Sequence, residues 1–182
     1  LFQDEEVYKK ALVLRDHGMD KNKRYWHSFV GYNYRLTNLQ AAIGVAQMER
    51  IDEIVKRKIE IGQQYNDLLK NIPEFQLPAQ LPEVVNTYWL YTIVLSDTCD
   101  LDRDVLISKL QQNGIETRPV FYPLHEMPPY EQYVRNGNTY PEATRISRRG
   151  ICLPSYLSLQ KEEVAFICEV LKKQVSLVNI EK

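Results

Sequence analysis

Helical periodicity is the first signal along the chain. Val7, Ala11 and Leu14 recur at helical spacing behind Asp4, a residue suited to capping, with Glu5 and Glu6 in the first turn where the helix dipole favours acid. Gly18 is expected in the left-handed position that ends this helix. A stronger pattern opens at Thr37. Thr37-Asn38-Leu39-Gln40 has capping-box form, and Leu39, Ala42, Ile43 and Ala46 follow at i, i+3, i+4 and i+7. The pattern resumes at Ile51, Ile54, Val55, Ile61, Tyr65, Leu68 and Leu69. Up to about 35 residues are thus expected to be helical, in one bent or two abutting segments, and a soluble helix of that length usually bridges domains or subunits. Gly44 inside it suggests close packing at that point, since glycine weakens an exposed helix.

Beyond this, Pro73, Pro78 and Pro82 mark a connection. Tyr88 to Leu95, aromatic and β-branched, reads as a strand. Asp102 to Asn113 reads as a helix stopped by Gly114, and Ile115 to Phe121 as a second strand ending near Pro123. Pro141 opens a short helix through Arg149, ended by Gly150, and Ile151 to Leu153 is a short apolar strand. The last helix is expected from about Ser158 to Val175, with Val164, Ile167, Cys168, Leu171 and Val175 on its buried face. The sum is an α/β fold in three parts. Residues 1–36 form a lead-in that cannot bury itself, 37–72 connect, and 73–182 make a small mixed sheet with helices against it.

Charge narrows the function. The 182 residues carry 23 Lys+Arg against 24 Asp+Glu, a net charge of −1, which argues against a generally basic nucleic-acid binder. No apolar run approaches the ~18 residues of a membrane span, and the first residues have no signal-peptide pattern. Leu1 in place of Met suggests a piece of a longer protein. The three cysteines, Cys99, Cys152 and Cys168, are odd in number and lack C-x-x-C spacing. No disulfide framework and no metal site is expected; Cys168 reads as core, and the compartment as reducing and cytoplasmic. Neither a G-x-G-x-x-G nor a P-loop pattern occurs.

Candidate chemistry concentrates between Tyr25 and Gln40. Asn33 lies close to Gly31 in a loop, Arg35 brings a permanently charged fork, and a capped helix follows directly. Two readings stand side by side. One is an anion site of phosphate type; the other is a tight turn in which Asn33 takes left-handed geometry and Arg35 pairs with a carboxylate. Arg118, Tyr122 and His125, in a proline-stiffened stretch at a strand end, are candidate ligand contacts or an ordinary edge. Arg145, Arg148 and Arg149 cluster at a helix C-terminus, where the dipole prefers cations, and read as a solvated face. His27, after Tyr25-Trp26, is either a ligand or a packed histidine.

Several blocks resemble one family. Arg15-Asp16-His17-Gly18, the run Gly31-Tyr32-Asn33-Tyr34-Arg35-Leu36-Thr37-Asn38-Leu39-Gln40-Ala41-Ala42-Ile43-Gly44, and Gln47-Met48-Glu49 are similar to the DegT/DnrJ/EryC1/StrS aminotransferases. Gly114-Ile115-Glu116-Thr117-Arg118-Pro119, Tyr122-Pro123-Leu124-His125 and Leu153-Pro154-Ser155-Tyr156 follow in matching order. The resemblance implies a fold-type-I aminotransferase using pyridoxal 5'-phosphate (PLP). This chain would then be the tail of the large cofactor domain, the connecting helices and the small C-terminal domain. The family's Schiff-base lysine has no counterpart in these residues, so no catalytic residue is assigned and the piece alone is expected to be inactive. The resemblance further implies that Asn33, with Tyr32 and Arg35, reaches the cofactor phosphate of a neighbouring subunit in a homodimer. Arg118, Tyr122, His125 and His27 would face a nucleotide-linked keto sugar, with glutamate as amino donor. The competing expectation is a non-catalytic α/β module that keeps the small-domain fold.

Overall fold

The computed structural model describes residues 2–134 and 138–180. The chain divides into two compact units, 1–51 and 52–182.

The first unit holds α1 (Glu5–Arg15) and α2 (Asn38–Met48) with an irregular loop between them. Asp4 caps α1 by accepting from the amides of Glu6 and Val7. Both His17 (φ 60°) and Gly18 (φ 70°) are left-handed after α1, so the turn uses two such residues where glycine alone was expected. The Gly18 amide donates back to Val13 O at 2.9 Å, the long hydrogen bond that closes a helix end of this type. Gly18 and Gly31 then lie backbone to backbone: a β-carbon on Gly18 would sit 2.0 Å from Phe29 O. The amide of Tyr32 donates to Leu14 O, that of Tyr34 to Arg15 O, and that of His17 to Tyr32 O. A glycine at each of 18 and 31 therefore lets the 28–34 segment lie flat along the helix end.

α2 begins with the capping box foreseen at Thr37: its Oγ1 accepts from Gln40 N, and Gln40 Oε1 accepts from Thr37 N. It ends at Met48, and α3 (Ile51–Leu69) starts after a turn at Glu49 and Arg50, giving two abutting helices. No residue of α2 is buried, and a β-carbon on Gly44 would meet nothing within 4 Å. The close packing expected at Gly44 is therefore not present within the described residues.

The second unit is a four-stranded sheet with helices. β1 (Phe75–Gln76), β2 (Tyr91–Leu95), β3 (Arg118–Pro119) and β4 (Gly150–Leu153) run in the order β1-β2-β4-β3. Every pairing is antiparallel, which corrects the mixed sheet expected from sequence. β1 was not foreseen, β3 is two residues long instead of seven, and β2 starts three residues later than expected. The late start has a local cause. Asn86 Oδ1 accepts from Tyr88 N, a side-chain turn, and Tyr88 takes φ 47°, which no strand residue adopts.

α3, α4 (Arg103–Gln112) and α6 (Lys161–Ile180) supply one core with the sheet. Its largest fully buried side chains include Tyr65, Tyr91, Ile61, Leu69, Leu106 and Leu171. α4 is capped by Asp102 and closed at Gly114 (φ 76°), where Ile115 N donates to Leu110 O and Gly114 N to Gln111 O. Ile115 and Leu110 are both buried in that core, the apolar contact that accompanies such a cap. α5 (Pro141–Arg149) runs directly into β4. A β-carbon on Gly150 would meet Val120 Cγ2 at 2.4 Å and Ile146 O at 2.5 Å. Cys168 is core as expected, and burial pushes its thiol up to about 12.

Candidate functional site

In the first unit the loop hydrogen bonds gather four of the candidate residues around the end of α1. Asn33 pairs as an antiparallel bridge with Asp16, so its backbone is fixed. It is not left-handed, which removes that half of the tight-turn reading. Its carboxamide is exposed and makes no hydrogen bond among the described residues. Arg35 does pair with a carboxylate: its Nη1 lies 3.5 Å from both oxygens of Asp16. The pair is long, and the Arg35 side chain stays 64% exposed, so the guanidinium remains free to turn toward a ligand. Tyr32 and Tyr34 stack on each other with ring centres 5.2 Å apart. His27 Nδ1 lies 2.9 Å from His17 O. Since a carbonyl only accepts, this contact places the ring proton on Nδ1 and makes His27 a brace for the left-handed turn.

In the second unit the remaining candidates separate. Arg118 lines a cleft of about 660 Å³ with Lys58, Trp89, Ser155, Tyr156 and Phe166. His125 lines another, of about 710 Å³, with Arg103, Tyr140, Thr144 and Arg148. Its Nε2 faces Thr144 Oγ1 at 3.4 Å and its ring lies 4.8 Å from that of Tyr140. Tyr122 is 70% exposed and lines neither cleft. The structure thus brings Asn33, Tyr32, Arg35 and His27 together, but puts Arg118 and His125 in different hollows.

The arginine cluster on α5 is not a solvated face. Arg149 donates to three main-chain carbonyls, those of Leu95, Ser96 and Cys99. Arg145 donates to Glu142 and to Gln76 Oε1, each at 2.9 Å. The Arg149 fork satisfies carbonyls where β2 ends, a role for which an always-charged planar donor is well suited, while Arg145 ties α5 to a side chain of β1. Only Arg148 of the three is exposed.

Sequence reasoning did not single out two basic residues on α3. Arg57 donates to Leu157 O and Leu159 O. Lys58 Nζ donates to Trp89 O at 3.0 Å, to Ser155 Oγ at 3.0 Å and to Ser155 O. Burial lowers the Lys58 pKa from its ordinary value. Together they fasten the 154–160 loop and the Trp89 turn to the helix. Nothing in the sequence marks Lys58 apart from neighbouring surface lysines, because its partners, two main-chain carbonyls and the Ser155 hydroxyl, lie far along the chain. Among the described residues no group of His, Cys, Asp and Glu is arranged to hold a metal, and no helix is long and apolar enough to cross a membrane.

Comparison with known proteins agrees with this fold. The chain is 40% identical over 172 residues to GDP-perosamine synthase of Vibrio cholerae, covering 94% of this chain and 46% of that protein. It is 41% identical over 167 residues to GDP-perosamine synthase of Escherichia coli O157:H7, covering 91% of this chain and 44% of the relative. The chain therefore spans a little under half the length of the relatives it matches. Among solved structures, the PLP-form of the putative sugar aminotransferase Spr1654 from Streptococcus pneumoniae superposes with a TM-score of 0.80 at 25% identity, over 97% of this chain and 45% of that one. The profile of the DegT/DnrJ/EryC1/StrS aminotransferase family matches residues 1–172, and the chain belongs to that family.

Proposed function

We propose that this chain is the C-terminal part of a PLP-dependent aminotransferase that places an amino group on a nucleotide-linked 4-keto-6-deoxy sugar. GDP-perosamine formation for surface polysaccharide is the specific reaction favoured, because two relatives at 40% and 41% identity bear that name. Glutamate is the proposed amino donor, the cytoplasm the compartment, and a homodimer the working form.

The observation that carries the reading within these residues is Asn33. Its backbone is held by the bridge to Asp16, while its carboxamide is exposed and has no partner among the described residues. A fixed backbone with an uncommitted donor suits a phosphate, which needs hydrogen-bond donors already in position. Arg35 adds positive charge beside it, and its weak hold on Asp16 can be exchanged for a stronger anion. These residues fit the phosphate end of PLP. When bound, PLP supplies the electron sink for moving the amino group. Asn33 would donate hydrogen bonds to the phosphate, Tyr32 would wall the pocket, and Arg35 would balance charge. His27 would act by keeping the turn under them in shape. In the second unit, Arg118, Tyr122 and His125, which lie apart, would meet different portions of the anionic nucleotide sugar.

The test is Asn33→Ala in the natural-length protein, with cofactor retention measured by dialysis and visible absorption. Retention should weaken by about tenfold, ~1.4 kcal/mol, with the melting temperature of the cofactor-free protein unchanged. Unaltered retention removes Asn33 from the cofactor site and, with it, the support these residues give to the transferase reading.

A further inference from the structure

We propose that the cleft lined by Trp89, Tyr156 and Arg118 is a preformed site for a flat aromatic ring that carries an anionic group. Three exposed aromatic side chains line this one hollow: Trp89, 72% exposed, with Tyr156 and Phe166. Ring faces that stand open to water around an apolar floor of Leu153, Leu159 and Ile167 are suited to covering another ring.

The charges select the ring's substituent. Four ionic side chains line the cleft: Lys58, Arg118, Glu116 and Glu163. Lys58 is used up, since its three protons are directed to Trp89 O, Ser155 O and Ser155 Oγ. Glu163 accepts from the amide of Gln160 at 2.7 Å, ahead of α6. Among the described residues Arg118 pairs with Glu116 alone, at 3.8 Å, and its side chain is 78% exposed. Its fork is the uncommitted donor of the cleft, and a planar fork matches a carboxylate or phosphate in two-point contact.

The site is held in shape from below. Lys58 pins the Trp89 carbonyl and the Ser155 loop to α3 at once, and the neighbouring Arg57 pins Leu157 and Leu159. Tyr88, just before Trp89, is left-handed, and its ring lies where a β-carbon on Gly62 would be, 2.5 Å from Tyr88 Cγ. A strained, over-determined residue beside an exposed tryptophan is the mark of a side chain held in place for contact. Lys58 is thus a positioning residue for both walls.

The site is independent of the cofactor phosphate role of Asn33, although Arg118 belongs to both readings. Binding is measured by calorimetry on the natural-length protein with four probes: guanosine 5'-monophosphate, guanosine, indole-3-acetate and inorganic phosphate. Saturable binding of the nucleotide or of the aromatic acid is expected, and whichever is tighter identifies a phosphate or a carboxylate source. Trp89→Leu should weaken the tighter probe about tenfold, ~1.4 kcal/mol. Arg118→Gln should weaken it similarly while leaving guanosine unchanged. Lys58→Met should weaken the nucleotide and the aromatic acid alike, since it loosens both walls of the cleft. Equal affinity in wild type and Trp89→Leu overturns the proposal. So does inorganic phosphate binding as tightly as the nucleotide, or no saturable binding of either ring anion. Asn33→Ala leaves these titrations unchanged, so loss of cofactor retention and loss of ring binding are read separately.

Discussion

Gly31 and Gly18 touch through their backbones: a β-carbon on Gly31 would fall 2.0 Å from the Gly18 amide nitrogen. Neither neighbour is the end of a flexible side chain, so neither can step aside. Gly31→Ala should therefore push the 28–34 segment off the end of α1. A loss of about 1–3 kcal/mol is expected in the first unit, as for other overpacked sites. Amide exchange at His17, Tyr32 and Tyr34 reads it directly, because their hydrogen bonds lie across this contact. Native protection in the alanine variant would show that the two backbones have room to separate.

Arg149 and Arg148 are adjacent in sequence and opposite in consequence. Arg149 serves the carbonyls of Leu95, Ser96 and Cys99, while Arg148 points to solvent. Arg149→Met should cost about 2–4 kcal/mol in urea unfolding, because it strips partners from part-buried carbonyls. Arg148→Met should stay within about 0.5 kcal/mol. Equal effects would mean that charge on α5, and not carbonyl satisfaction, is what matters.

Thr117 offers the reverse case. Its Oγ1 is buried and has no hydrogen-bond partner among the described residues. Thr117→Val keeps the shape and removes the stranded hydroxyl, so stability should be equal or higher by about 1 kcal/mol. A clear loss of stability in the valine variant would reveal a partner for that oxygen in solution.

Alkaline pH should weaken the second unit. Burial raises the pKa of Tyr65 and of Tyr91 above the ordinary 10.0, and that of Cys168 from 9.0 to about 12. Unfolded, these groups release protons near their ordinary values, while the folded chain still holds them. The folded state then binds more protons than the unfolded one, so stability falls as pH rises. The contribution is complete below about pH 9 and is lost from there upward, first through Cys168. Urea midpoints at pH 8, 9.5 and 11 check this, and Cys168→Ala should flatten the early part of the decline. A midpoint independent of pH would contradict the burial of all three.

What the sequence made legible follows the range of the forces involved. α1 and α2 announced themselves through Asp4 and Thr37, because a cap and its amides lie within three residues. Gly114 marked its own turn for the same reason. The buried stripe of α6 was visible at Val164, Ile167, Cys168 and Leu171 from spacing alone. Strand direction was not, since pairing Tyr91 with Leu153 spans nearly half of the second unit. Two-residue strands such as Phe75–Gln76 exist only by virtue of a partner, here Leu95 and Val94. The Asn33 loop was legible as a place but not as a shape: the Arg35–Asp16 pair was foreseen in kind, the extended backbone of Asn33 was not. Lys58 left no trace in the pattern, because its partners, at Trp89 and Ser155, are uncharged oxygens 31 and 97 residues away.

The seat that Gly62 offers to the ring of Tyr88 carries a mechanical consequence. An aromatic plate resting where a methyl would stand acts as a tooth in a notch, so the turn bearing Trp89 cannot slip along α3. Whatever enters beside that indole meets a wall already set, and little of its affinity is spent on ordering the protein. Widening this pocket for a bulkier guest would then require re-cutting the notch at Gly62, well behind the surface the guest touches.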